Sequence, residues 1–169
     1  MELGILPVTS AGNDKKANNL EGLNAIVVSA LKNLGNNAII DSSYSTYGTV
    51  VDISAPGTDI WSAAISDTDS PCESLISKNG TSMASPQVAA AVALLRLNPE
   101  FKEYTGEQME NKLYELAVDL GAPGKDTYYG NGMVNLRYFE SVNTATLSFK
   151  EDGVLVSEYV EYKNVDDME

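Results

Sequence analysis

The sequence predicts an α/β fold built on a mainly parallel sheet, and three stretches predict it. Ala25 to Leu31 is an apolar run rich in β-branched residues and bounded by Asn- and Gly-containing loops, the pattern of a strand covered on both faces. Val88 to Leu95 is apolar all round and rich in alanine, as expected of a helix enclosed within a layered protein. Met109, Leu113, Leu116, Ala117 and Leu120 recur at helical spacing until Gly121, which marks an amphipathic helix at the surface.

The remaining elements follow along the chain. Ile5 to Val8 reads as a short buried strand opening into the turn residues Gly12-Asn13-Asp14, with almost nothing before it to cover it, so a further upstream piece of the fold is expected. Ser42 to Gly48 is a polar Ser/Tyr loop, and Val50 to Ser54 is a strand closed by the Ala55-Pro56-Gly57 break. Short strands at Ile60 to Ile65 and Leu75 to Lys78 flank a polar loop from Asp67 to Glu73. Pro86 is tolerated near a helix start and not farther in, so the alanine-rich helix is expected to begin close to it. Thr105 with Gln108 forms a capping-box signature for the next helix. A Gly/Pro/Tyr loop runs to Gly132, after which Thr144 to Phe149 and Val154 to Tyr162 alternate around Asp152-Gly153 as a β-hairpin. No internal repeat is found.

Composition excludes several function classes. The 169 residues are 43% hydrophobic, yet no apolar run reaches the roughly 18 residues that cross a bilayer, so no membrane span is expected. A net charge of −13 repels phosphate backbones, which argues against nucleic acid as a partner. Residues 151 to 169 carry seven acidic side chains against Lys163 alone, the usual pattern of a solvated end. The opening residues show no basic region, long apolar segment or cleavage site, so neither a signal peptide nor an anchor is read there. Cys72 is the single cysteine; with no basic neighbour to activate it, it reads as an incidental thiol. Histidine is absent altogether, which removes imidazole bases, imidazole metal ligands and any Ser-His-Asp triad made by this chain alone.

The segment with the sharpest chemistry runs from Lys78 to Leu95: a short strand, a Gly-Thr-Ser turn and the start of the alanine-rich helix. Unpaired N–H groups in a first helical turn carry partial positive charge, so a serine there has a ready donor beside it for a developing oxyanion. Gly80 and Ala84 leave room for a substrate backbone. Plainer readings compete: Ser82 as a helix N-cap, Asn13 as a turn residue in a left-handed conformation, Ser85 as a helix-start hydroxyl, and Tyr128 and Tyr129 as packing aromatics. Lys78, four residues before Ser82, invites a Ser-Lys dyad, but the intervening turn makes the approach geometrically poor.

The stretch GTSMASP (Gly80 to Pro86) resembles the active-site segment of the subtilisin-like serine peptidases, and three others match that family in the same order: SAGND (Ser10 to Asp14), SSYSTYG with VDISAPG (Ser42 to Gly57), and YYGNGMVN (Tyr128 to Asn135). The resemblance covers about residues 3 to 141. It implies the C-terminal half only of a three-layer subtilisin-like fold, with residues 1–141 as that half of the peptidase domain and 142–169 as an acidic β-hairpin and tail. It further implies a serine endopeptidase in which Ser82 is the nucleophile and Asn13, with the Ser82 backbone N–H, forms the oxyanion hole. No cofactor is required; calcium is admitted at Asp52, which matches a position of a weak cation site in some relatives. Gln87 stands where many relatives carry a second, non-catalytic histidine. In the family the triad runs Asp, His, Ser along the chain, and both upstream members are absent here. The chain alone is therefore expected to be inactive, with protein or peptide substrates and the missing N-terminal half as its partners, outside the cell or at its surface. Two rivals stand beside this reading: a non-catalytic scaffold or binding module that kept the fold, and the acid-acting relatives with a glutamate base, against which Asn13 argues because they usually place an aspartate there.

Overall fold

A computed structural model of the chain describes residues 5–34, 38–64, 74–137, 149–151 and 154–156. They fall in two compact units, the first ending at Asn135 and the second beginning at Leu136.

The first unit is organised around one strand, β2 (Ile26–Asn33), whose residues Ile26 to Leu31 are all at most 2% exposed. β1 (Val8–Ser10) pairs parallel to its start, Val8 opposite Ile26, and β4 (Ile53–Pro56) pairs parallel farther along, Val28 opposite Ile53. β3 (Ala38–Ile40) turns back antiparallel against the end of β2, Leu31 opposite Ile40. The mainly parallel sheet is thus the one predicted from Ala25 to Leu31. β1 begins at Val8 and not at Ile5, and Pro7 accounts for the shift: lacking an N–H it cannot enter the ladder as donor, and its carbonyl instead accepts the Ile26 N–H at 2.8 Å where pairing begins. β3 was not foreseen, because three apolar residues carry too little periodicity to read.

α1 (Thr81–Leu97) lies on β1, β2 and β4. Two expectations about it are corrected. It begins five residues before Pro86, which sits inside the helix and leaves the Ser82 carbonyl without its helical N–H partner. Within this chain it is also covered on one face only: Thr81, Ala84, Val88, Ala91, Val92 and Leu95 are buried, whereas Pro86, Ala89, Ala90, Ala93 and Leu97 are exposed. Alanines fill both faces, so composition could not distinguish the covered one.

α2 (Gly106–Leu116) begins with the predicted capping box: Gln108 N–H donates to Thr105 Oγ1 at 3.2 Å and Thr105 N–H donates to Gln108 Oε1 at 2.8 Å. Met109 and Leu113 are buried. The helix ends at Leu116, short of Gly121, because Val118 leaves it to exchange two backbone hydrogen bonds with Met133, while Asn135 Nδ2 donates to the Leu116 carbonyl. β5 (Ile60–Ala64) and β6 (Ser74–Lys78) form an antiparallel hairpin, Ile60 opposite Lys78. The expected loop between them, with Cys72, lies outside the described residues. In the second unit β7 (Phe149–Glu151) pairs antiparallel with β8 (Val154–Val156); the turn at Asp152-Gly153 and the rest of the acidic tail lie outside the described residues.

One buried charge braces this frame. Asp41 is 4% exposed. Burial, the largest influence, pushes its carboxyl pKa up, but hydrogen bonds from Ser43 and Thr58 and the charge of Lys32 together outweigh it and hold the pKa below the usual aspartate value. A depressed native pKa contributes stability above the unfolded pKa of about 3.9, lost as pH falls through the native value. Asp41→Asn is therefore expected to flatten the acid limb of a urea-midpoint against pH curve below about pH 4.

Candidate active site

β1 ends at Ser10, and the chain passes through Ala11 and Gly12 to Asn13 just beyond the carboxyl end of that strand. In parallel sheets this is the side on which ligand sites form. The loop is held on two sides: Ala11 N–H donates to the Val28 carbonyl, and Thr46 N–H to the Gly12 carbonyl, each at 2.9 Å.

The start of α1 meets this loop through Thr81, which is fully buried. Its backbone N–H and its hydroxyl both donate to Asn13 Oδ1, each at 3.0 Å, and its Oγ1 accepts the Gly12 N–H at 3.2 Å. Two donors on one amide oxygen fix which way the carboxamide faces: oxygen to Thr81, Nδ2 away from it. Nδ2 then lies 3.4 Å, and the Ser82 backbone nitrogen 3.7 Å, from the point where a Cβ on Gly80 would stand. Two N–H donors, with Met83 Sδ beside them at 3.5 Å, thus surround the position that a glycine leaves without a Cβ. Gly80 has a φ of 154° and serves as helix N-cap without a side-chain bond.

Within the first turn, Thr81 N–H is spent on Asn13 and Met83 N–H on the Gly80 carbonyl at 2.9 Å. The Ser82 N–H between them has no acceptor among the described residues. The side chains of both Ser82 and Asn13 are exposed. The plainer readings of these two residues lose ground: Gly80, not Ser82, is the N-cap, and the left-handed positions of the Asn13 loop are Gly12 and Lys15. Such an arrangement can present a hydroxyl beside two donors aimed at one anionic oxygen.

The other candidates are placed as follows. Lys78 is exposed on β6 opposite Ile60, beyond the Asn79-Gly80 turn. Gln87 Nε2 donates to the Pro56 carbonyl at 2.6 Å and to the Met83 carbonyl at 2.9 Å, tying α1 to the end of β4. Tyr128 stacks on Tyr47, with ring centroids 5.0 Å apart, and Tyr129 Oη accepts the Ile40 N–H at 3.4 Å; both are packing roles.

Asp52 does not fit a cation. Its Oδ2 accepts the Val27 N–H at 3.0 Å and its Oδ1 meets the Lys125 ammonium at 2.8 Å. No group of three acidic, Cys or His side chains suited to a metal occurs among the described residues. Calcium takes six to eight oxygens, and here the Lys125 ammonium already sits on the carboxylate. Millimolar calcium is accordingly expected to leave the thermal midpoint unchanged, with or without chelator.

Thr81 is the residue of this turn that sequence reasoning passed over. Its signal lay in the Gly-Thr-Ser triplet: a hydroxyl at the first helical position, next to a glycine, is free to reach a neighbouring loop. Thr81→Val removes one of the two donors on Asn13 and the acceptor of the Gly12 N–H, with an expected loss of about 1–3 kcal/mol in urea unfolding.

Comparison with known proteins adds the following. The sequence profile of the subtilase family matches residues 1–132. The chain is 34% identical over 139 residues to a thermostable alkaline protease of Halalkalibacterium halodurans, covering 78% of this chain and 33% of that one. It is 45% identical over 100 residues to an extracellular protease of Xanthomonas campestris pv. campestris, covering 55% and 16%. Among solved structures, fervidolysin from Fervidobacterium pennivorans, a keratinolytic enzyme related to subtilisin, superposes with a TM-score of 0.65 at 28% identity over 79% of this chain and 22% of that one. The chain therefore spans a third or less of the length of these relatives.

Proposed function

The chain belongs to the subtilase family, and from that premise we propose that it carries the nucleophile and oxyanion side of a serine endopeptidase site. Ser82 is the nucleophile; Asn13 Nδ2 and the Ser82 N–H are the oxyanion donors. The observation that carries the reading is the pair of donors about Gly80, held by the two bonds from Thr81 to Asn13 Oδ1.

In the proposed reaction, Ser82 Oγ adds to the carbonyl carbon of a peptide bond while its proton passes to a base. The carbonyl electron pair moves onto oxygen, between Asn13 Nδ2 and Ser82 N–H. An uncharged carboxamide suits that task, since it donates without changing protonation state. Collapse breaks the C–N bond, the base returns its proton to the leaving amine, and water then hydrolyses the serine ester. With no histidine among the 169 residues, the base and its orienting carboxylate come from polypeptide outside this chain, as the family's Asp, His, Ser order implies. The exposed apolar side of α1, from Pro86 to Leu97, supports the same conclusion, because it is the kind of surface a further layer covers. Alone, the chain is expected to leave peptides uncut. Protein substrates and an extracellular setting are proposed from the relatives, one of which is named an extracellular protease.

The absence of histidine also favours a second reading, a scaffold that retains the fold without the chemistry. A fluorophosphonate probe separates them. After the polypeptide bearing the family's Asp and His is added, labelling that disappears in Ser82→Ala supports the peptidase. A folded complex that takes no label supports the scaffold.

A further inference from the structure

The turn that delivers Ser82 is braced from the opposite side by a second turn, Gly57 to Asp59. The Gly80 N–H donates to the Gly57 carbonyl at 2.8 Å, and the Asp59 N–H donates to Asn79 Oδ1 at 2.7 Å. The two segments touch so closely that a Cβ on Gly57 would stand 2.9 Å from the Gly80 carbonyl oxygen. Asp59 adopts a φ of 58°, a left-handed turn conformation that aspartate tolerates better than most residues.

The Gly57-Thr58 part of this turn is held by a chain of hydroxyls ending on a buried carboxylate. Thr58 Oγ1 donates to Asp41 Oδ2 at 2.7 Å, and Tyr44 Oη lies 2.8 Å from Thr58 Oγ1 and 2.9 Å from the Gly57 carbonyl. Asp41 Oδ1 is occupied by Ser43, through its N–H at 3.0 Å and its hydroxyl at 2.5 Å. A carboxylate only accepts, so the Thr58 proton belongs to Asp41, and the single phenolic proton of Tyr44 is shared between Thr58 Oγ1 and the Gly57 carbonyl. Charge-assisted bonds of this kind are about twice as strong as neutral ones, which anchors the chain at its acidic end.

We propose that Asp41, Thr58 and Tyr44 are positioning residues that set the Gly57 carbonyl and, through it, the Gly80 turn from which Ser82 and its N–H project. The inference rests on the reading of Ser82 as nucleophile, but the tie itself is measurable without it. Each acts through the backbone of the turn, Tyr44 by its contacts with the Gly57 carbonyl and the Gly80 backbone.

The test is amide hydrogen exchange on the 169-residue chain, reading Gly80 against Val28 in the centre of β2. Thr58→Val removes the central hydroxyl at nearly constant volume, and Tyr44→Phe removes the outer one while keeping the ring. Each is expected to speed Gly80 exchange relative to Val28 by about fivefold, the factor for one net hydrogen bond, with Thr58→Ser restoring the native ratio. In the complemented enzyme, Tyr44→Phe is expected to lower kcat while leaving KM unchanged. An unchanged Gly80 to Val28 ratio in both variants overturns the proposal, as does a loss that Thr58→Ser fails to restore, or a fall in KM-side binding with kcat intact. The expected faster exchange in the variants, with no fluorophosphonate labelling of Ser82, would instead strike the nucleophile reading alone.

Discussion

Ser82→Ala is expected to lower peptide turnover of the complemented enzyme by about 10⁶-fold while leaving KM within about twofold, a magnitude known from subtilisin itself and carried here as a family value. The size follows from what the side chain does. Without the hydroxyl no acyl-enzyme forms, and the donors at Asn13 and Ser82 N–H have only a water-derived oxyanion to stabilise. The substitution should cost little stability, because the Ser82 side chain is exposed and is not the N-cap of α1. Turnover of purified substrate, measured beside a urea-unfolding curve, checks both halves. A large fall in stability would mean that Ser82 holds the helix start in place.

Asn13→Ala has the second largest expected effect, about 10²- to 10³-fold in kcat, again a value whose source is the subtilisin oxyanion asparagine. KM is expected to stay nearly constant, since a donor aimed at the oxyanion acts mainly in the transition state. Asn13→Asp should be worse than alanine at neutral pH, because it would set a negative charge beside the developing one. In either variant Thr81, fully buried, loses or changes the partner of both its N–H and its hydroxyl. Part of any stability change therefore belongs to Thr81, and steady-state kinetics must be compared at matched folded fraction.

Much of this architecture was legible beforehand for physical reasons that differ from place to place. Ala25 to Leu31 could be read because β-branched side chains buried on both faces leave an unbroken apolar run, and β2 lies there. The Thr105 and Gln108 capping box is a purely local device, so its two hydrogen bonds formed as written. α1 misled in two ways because its cues are not local. Whether Ala89 or Ala91 faces the sheet depends on the neighbours of the helix, and Pro86 is accommodated inside it where sequence rules place it at the start. The end of α2 was missed for the same reason: Val118 leaves the helix for a bridge to Met133, fifteen residues away.

The candidate site divides along the same line. Ser82 and Asn13 could be named from motifs, and the Asn13 carboxamide and the Ser82 backbone nitrogen both lie near the Gly80 turn. The residue that orients Asn13 could not, because Thr81 reaches it across 68 positions of sequence. Asp52 is a second case of a partner distant in sequence. Its carboxylate is met by the Lys125 ammonium, 73 residues on, a neighbour that no local pattern around Asp52 reveals.

The measurement that bears most directly on the central claim is a crystal structure of the fluorophosphonate adduct of the complemented enzyme. The account expects phosphorus bonded to Ser82 Oγ and one phosphonyl oxygen lying about 2.7–3.2 Å from both Asn13 Nδ2 and the Ser82 nitrogen. An adduct on another residue, or a phosphonyl oxygen turned to solvent with Asn13 facing elsewhere, would contradict it.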